Sequence, residues 1–207
     1  MFITFEGLDF SGKSTQAKLL VQRLEQSKLR HIFLREPGGT AISEKIRDLL
    51  LDTANDTISP WAELFLFSAA RIQLVTEVIQ PALDADTVVV CDRFYDSTTA
   101  YQGYGRGLSL EDIASVNAIA TQGTTPDLTL FIQVDREEIL RRKKASGASL
   151  DRMESAGQMF YDRVRDGYLA LAAKFPHRFI VVDGMQSVDA IHNTIWELFN
   201  SRRRVAG

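Results

Sequence analysis

The chain has 207 residues, enough for one domain with a substantial core, and with 45% apolar and 25% charged residues it is not a disordered polymer. Its net charge of −3 argues against a protein that coats nucleic acid, which would neutralise many phosphates with clustered Lys and Arg. The opening MFITFE has no basic stretch and no long apolar one, and nowhere do about 18 uncharged apolar residues run together, so a cytoplasmic protein without a membrane span is expected.

In chain order, the first apolar run, FITFE (2 to 6), predicts a strand, followed by the loop GLDFSGKST and a helix over 13 to 29. HIFLR (31 to 35) predicts a second strand, and helices are expected at 41 to 51 and 60 to 84. Pro60 suits a first helical turn, whereas Pro81 predicts a kink or an early end. TVVVCD (87 to 92) predicts the third strand, and a helix over 109 to 122 is closed by Gly123 and Pro126. LTLFIQV (128 to 134) predicts the fourth strand, with helices at 136 to 145 and 155 to 174. RFIVVD (178 to 183) predicts the fifth, and a last helix spans 187 to 203. The strand runs are apolar almost throughout rather than alternating, as in parallel strands covered on both faces. The expected fold is α/β, a five-stranded parallel sheet flanked by helices, in a single domain over 1 to 207.

Cys91, the one cysteine, excludes an internal disulfide and reads as a small buried residue. His31, His177 and His192 are scattered without metal-ligand spacing, which speaks against a zinc or iron centre. Arg202, Arg203 and Arg204 read as a solvated helix end favoured by the helix dipole.

Gly7, Gly12, Lys13 and Ser14 fit G-x-x-x-x-G-K-[ST] between a strand and a helix. In such a loop backbone N–H groups curl round phosphate oxygens, the lysine reaches the outer phosphates and the hydroxyl is offered to Mg²⁺. A nucleoside triphosphate is the expected ligand, held by Gly7, Leu8, Asp9, Phe10, Ser11, Gly12, Lys13, Ser14 and Thr15. No Asn-Lys pair exists for a guanine-reading N-K-x-D, which excludes a switch GTPase, and a mechanical ATPase would be larger. A kinase for a small molecule remains.

REPGGT (35 to 40) and DRFYDSTTAYQG (92 to 103) follow the second and third strands, where ligands of such sheets gather. Asp92 is placed to hold the Mg²⁺ shell with Ser14, and Arg93 to meet a phosphate. Phe67 and Arg71 lie four apart and share a helix face; a base could stack on the ring and meet the guanidinium, or the ring could be core.

In this order, G-x-D-x-x-G-K-S-T, R-E-P-G-G-T, F-x-x-x-R and D-R-F-x-x-S-x-x-A-Y-Q-G resemble the bacterial thymidylate kinases over essentially the whole chain. The resemblance implies the fold of the P-loop nucleoside monophosphate kinases with a short lid at about 142–156, transfer from ATP to dTMP with Mg²⁺ giving dTDP, and a homodimer. It implies that Asp9 lies near the sugar 3′-hydroxyl and the metal, and that Glu36 is the acid of the second motif. Arg47 and Arg93 would clasp the acceptor phosphate, Phe67 would stack on thymine and Arg71 would meet a base carbonyl. Thr98, Tyr101 and Gln102 would read the base edge and close round the deoxyribose, and Arg152 would be a lid cation over ATP.

Phe10 stands where the family commonly has glycine, and Ser146 where many bacterial members have a lid arginine. Of the cations flanking the small, polar stretch 145 to 157, which reads as a mobile loop, Arg142 is expected to reach the site best, with Arg152 on the far flank. No general base is expected, because the acceptor is already an ionised phosphate. A kinase for deoxynucleosides, uridylate or cytidylate, and a non-catalytic nucleotide-binding module, are the alternatives.

Overall fold

The computed structural model describes residues 1–147, 152–153 and 157–205; positions 148–151 and 154–156 of the expected lid, and with them the start expected for the helix at 155, lie outside them. Five parallel strands, β1 (Phe2–Glu6), β2 (His31–Arg35), β3 (Val88–Asp92), β4 (Leu128–Gln133) and β5 (Phe179–Asp183), form one sheet in the order β2-β3-β1-β4-β5. The central β1 is buried along its length, while the edge strands β2 and β5 are partly open. This is the expected fold class.

Alternation along the strands decides which side chains meet which helices. Ile3, Phe5, Val90, Leu128, Leu130 and Ile132 pack with α1 (Lys13–Gln26) and α9 (Val188–Val205). On the other face Phe131 and Phe179 pack with α8 (Gln158–Lys174), and Phe2, Val89 and Cys91 with Leu74, Val75 and Ile79. Thr4, also on that face, meets Thr129 hydroxyl to hydroxyl at 2.9 Å. Glu6 is the last side chain of this row, which puts a carboxylate at the carboxyl end of the sheet.

The helix expected over 13 to 29 stops at Gln26, because Lys28 adopts a left-handed φ of 55° and the Leu29 N–H turns back to the Leu24 carbonyl. α2 (Ala41–Leu51) is capped by Thr40, whose hydroxyl accepts the Ser43 N–H at 3.1 Å. Pro81 does not end its helix. α3 (Pro60–Leu74) runs through a π-type stretch, Val75–Ile79, into α4 (Gln80–Asp84). Proline has no N–H for the carbonyl four residues back, and the Gln80 N–H reaches five back to Val75, so the wider turn accommodates the ring.

The segment after β3, to which the sequence assigns no helix, is helical: α5 (Tyr95–Thr98) widens into a π-type stretch, Thr99–Gly105. Its threonines and glycines give no helical signal of their own. Packing on α8 supplies it, with the Arg163 guanidinium donating to the Gly105 carbonyl at 3.1 and 2.7 Å. α6 (Leu110–Thr121) and α7 (Arg136–Ser146) complete the set. Among the described residues no helix is long and apolar enough to cross a membrane.

Candidate active site

The phosphate loop leaves β1 at Gly7, where a Cβ would lie 2.8 Å from Ser11 Oγ and 3.0 Å from the Ile132 carbonyl oxygen, so a glycine is required. Gly12, at φ 93°, precedes the first turn of α1, and the loop therefore ends on a helix N-terminus suited to anions. Phe10 is held left-handed at φ 66°, a conformation that glycine adopts without the clash a side chain brings. Lys13 is buried and its Nζ lies 3.3 Å from Asp9 Oδ1. The Ser14 hydroxyl donates to Asp92 Oδ2, while Asp92 Oδ1 is buried without a partner among the described residues.

Arg93 follows Asp92 at a left-handed φ of 72°, which turns its side chain from the end of β3 across the loop. One guanidinium nitrogen donates to Asp9 Oδ1 at 2.6 Å and to the Tyr101 hydroxyl at 3.2 Å; the other donates to Ser97 Oγ and Tyr168 Oη, each at 3.2 Å. Burial works to raise the Asp9 carboxyl, but Arg93 and then Lys13 outweigh it and hold it below the ordinary range. The Arg93 charge is reinforced by Tyr101 and Asp9 against the burial that opposes it.

Beside Arg93 lies a cavity of about 100 Å³. Asp9, Glu36, Arg47, Phe67, Arg71, Arg93, Thr98, Tyr101 and Gln102 all line it, so the residues expected on the acceptor side are brought together from four segments of chain. Arg71, 2% exposed, donates to Glu36 Oε2 at 2.8 Å and to Asn117 Oδ1 at 3.4 Å. Burial lifts the Glu36 carboxyl to about 7 against the pull of Arg71. Phe67 is partly buried against the α8 cluster and still forms part of the cavity wall, so core and pocket are not exclusive for this ring. Gln102 donates to Glu63 Oε1 at 2.9 Å, and Arg47 to the Pro37 carbonyl at 2.9 Å.

The two expected lid cations sit apart. Arg142 donates to the Ser11 carbonyl at 2.9 Å and the Phe10 carbonyl at 3.4 Å, with further bonds to Gly184 O and Glu138, so it braces the outer backbone of the loop. Arg152 pairs with Glu63 at 2.7 Å and donates to the Leu50 carbonyl at 2.7 Å, which puts it beside Met153 of the cavity wall rather than over the phosphate loop. Ser146 ends α7 with its hydroxyl on the Lys143 carbonyl. Positions 148–151 of the polar stretch between these arginines lie outside the described residues.

Sequence reasoning missed Glu6, Ser97, Tyr168, Asn117 and Glu63, which hold the side chains it named. Glu6 left one trace, being the only charge in FITFE. Tyr168 left none, since its ring belongs to the apolar face of α8.

A thymidylate kinase family profile matches residues 5–195. The chain belongs to the thymidylate kinase family. It is 49% identical to the thymidylate kinase of Prosthecochloris aestuarii, over 98% of this chain and 94% of the relative, and 50% identical to that of Pelotomaculum thermopropionicum, over 92% and 88%. The crystal structure of the thymidylate kinase from Ehrlichia chaffeensis superposes with a TM-score of 0.79 at 35% identity, covering 97% of this chain and 98% of the other. The family's nucleoside monophosphate kinase fold is thus the observed one.

Proposed function

We propose that this chain transfers the γ-phosphoryl group of ATP to dTMP, giving ADP and dTDP for dTTP synthesis. One observation carries the reading most directly: Arg93 bonds the phosphate-loop residue Asp9 and lines the acceptor cavity, so donor loop and acceptor pocket share a wall.

An oxygen of the dTMP phosphate attacks the γ-phosphorus as the bond to the β,γ-bridging oxygen breaks, and ADP leaves. The attacking oxygen is ionised at neutral pH, so no side chain has to remove a proton. Transfer of this kind passes through a charge-spread transition state, and the protein contributes alignment and cations. Lys13 and the loop N–H groups hold the donor phosphates; Arg93, with Arg47, holds the acceptor phosphate and Asp9 keeps Arg93 in place. Phe67 stacks on thymine, Arg71 meets a base carbonyl, Thr98 and Gln102 border the base edge, and Tyr101 crowds the 2′ side of the sugar. Arg142 acts by bracing the loop, and Arg152 by closing the acceptor wall through Glu63.

Ser14 and Asp92 fit a magnesium ion, because a hydroxyl and a carboxylate with one unpartnered buried oxygen suit a hard cation that takes its other ligands from phosphates and water. Such an ion supplies charge neutralisation to the donor phosphates when bound.

We also infer a homodimer in the cytoplasm. Ile42 and Leu49 on α2, Trp61, Phe65 and Ile72 on α3, and Ile119 on α6 are exposed, on helices packed side by side, with Phe65 57% and Ile119 70% open. An apolar face of this kind is the type that a second copy covers.

The test is ADP release coupled to a detectable reaction across the nucleoside monophosphates. dTMP should give the highest kcat/KM; a preference for UMP, CMP or a nucleoside, or no turnover with any acceptor, overturns the reading.

A further inference from the structure

Behind Arg93, away from the cavity, lies a carboxylate for which the transfer itself has no use. Glu6 is fully buried at the end of β1. Its Oε1 accepts the Phe94 N–H at 2.8 Å, and its Oε2 accepts the Ser97 hydroxyl at 2.5 Å and the Tyr168 hydroxyl at 2.9 Å. Those two oxygens stand 3.0 Å apart, and both face the same nitrogen of Arg93.

A hydroxyl has one proton to give and two lone pairs to offer. With both protons committed to Glu6, Ser97 Oγ and Tyr168 Oη have lone pairs left for the arginine. A donor in place of the ionised Oε2 would free at least one hydroxyl proton, whose nearest other acceptor is the second hydroxyl 3.0 Å away, and that bond uses a lone pair otherwise open to Arg93. The polarity of the cluster thus runs one way, from Arg93 through two hydroxyls to Glu6, and buried networks of this kind are costly when only partly satisfied.

We propose that Glu6 is a positioning residue of the transfer: by fixing the hydroxyl protons of Ser97 and Tyr168 it aims the Arg93 guanidinium at the acceptor phosphate. The proposal rests on the reading of Arg93 given above. It assigns to the last residue of the first strand, and to Tyr168 of α8, a part in acceptor binding although neither lines the cavity.

Glu6→Gln keeps the size and the acceptor for Phe94 N–H but places an amide N–H₂ where Oε2 stood, which inverts the polarity. The assay is steady-state kinetics at pH 8, because burial and then the Asp96 charge lift Glu6 to about 7 and it must be ionised in the wild-type reference. Losing a charge-assisted set of bonds should raise the KM for dTMP at least about tenfold, with the KM for ATP unchanged. A purely structural role would lower the amount of active enzyme and the melting temperature and leave KM alone.

Tyr168→Phe removes one of the two hydroxyls and should raise the KM for dTMP about threefold or more on its own. In the Glu6→Gln/Tyr168→Phe double variant one of the misdirected protons is gone, so its KM should be no higher than that of Glu6→Gln alone. If Glu6→Gln does not fold, Tyr168→Phe decides. A folded Glu6→Gln, or failing that Tyr168→Phe, with a wild-type KM for dTMP overturns the proposal. Arg93→Ala separates the two levels. If it raises the KM for dTMP while the Glu6 and Tyr168 variants do not, only the present inference falls; if it changes nothing, the reading of Arg93 falls and the inference with it.

Discussion

Arg93 and Lys13 converge on a single atom, Asp9 Oδ1, at 2.6 and 3.3 Å. The carboxylate thereby ties the arginine of the cavity wall to the lysine of the phosphate loop, and fixes the two cations relative to each other.

Lys13 is buried, and among the described residues its Nζ bonds only Asp9 Oδ1, at 3.3 Å, so its charge is available to a phosphate. Lys13→Ala should leave the fold intact and reduce kcat to less than about a tenth of wild type. Single-turnover transfer measured beside a thermal melt checks this; a folded variant retaining more than that fraction removes Lys13 from the step.

The pocket that Phe67 and Arg71 share predicts the base preference. A methyl group in an apolar pocket is worth about 1–3 kcal/mol, so dTMP should exceed dUMP in kcat/KM by about 10- to 200-fold. Phe67→Ala should raise the KM for dTMP and narrow that ratio. Equal use of dTMP and dUMP by the wild type would refute the pocket assignment.

Tyr101 combines a steric and a polar part. Its ring lines the cavity, and its hydroxyl, whose pKa burial pushes further up from the ordinary tyrosine range, accepts from Arg93 at 3.2 Å. Tyr101→Ala should improve use of ribothymidylate relative to dTMP. Tyr101→Phe should keep the discrimination and raise the KM for dTMP severalfold, about the effect of one lost hydrogen bond to a charged group. Acceptor kinetics with both nucleotides separate the two parts.

Arg142 and Arg152 should fail in different ways. Arg142→Ala exposes two loop carbonyls and should lower kcat by tens of fold, of the order seen when phosphates are misplaced, with little change in the KM for dTMP. Arg152→Ala leaves Glu63 to Arg106 and Gln102 and should act first on the KM for dTMP and on stability, by less than the about 3–5 kcal/mol that a buried charge left without any partner costs. Initial-rate kinetics varying each substrate, with melting temperatures, distinguish these patterns. Ser146→Arg adds a cation at the end of α7, and a rise in kcat is expected if that end reaches the donor phosphates.

Glu36 gives a pH signature. Its folded value of about 7 lies above the ordinary 4.5, so between the two the folded chain binds more protons than the unfolded one. Its contribution to stability is therefore full below about pH 4.5 and is lost as pH rises through 7. The melting temperature of the ligand-free protein should fall along this limb between pH 5 and 8, and Glu36→Gln should flatten it, leaving the part due to Glu6, which moves the same way.

The phosphate loop was legible because its chemistry is local: Gly7, Gly12, Lys13 and Ser14 sit in one short loop running from β1 into the first turn of α1, and their spacing is the function. Strand runs were legible because a strand covered on both faces needs apolar residues at nearly every position. The helical course of Tyr95–Gly105 and the passage through Pro81 were not, since packing on α8 and a widened turn override what propensity suggests. Arg93, Phe67 and Arg71 could be named from motifs, but their partners could not. Glu6 and Tyr168 lie 162 positions apart and meet at 2.9 Å because β1 and α8 pack across one face of the sheet. Likewise Arg152 reads as a lid cation along the chain, yet its partner is decided by Glu63, a buried carboxylate on α3 that also accepts from Gln102 and Arg106. Sequence determines which residues carry phosphate chemistry, because backbone spacing fixes them; the tertiary structure decides how they are aimed, because a buried charge is oriented by whichever distant group satisfies it.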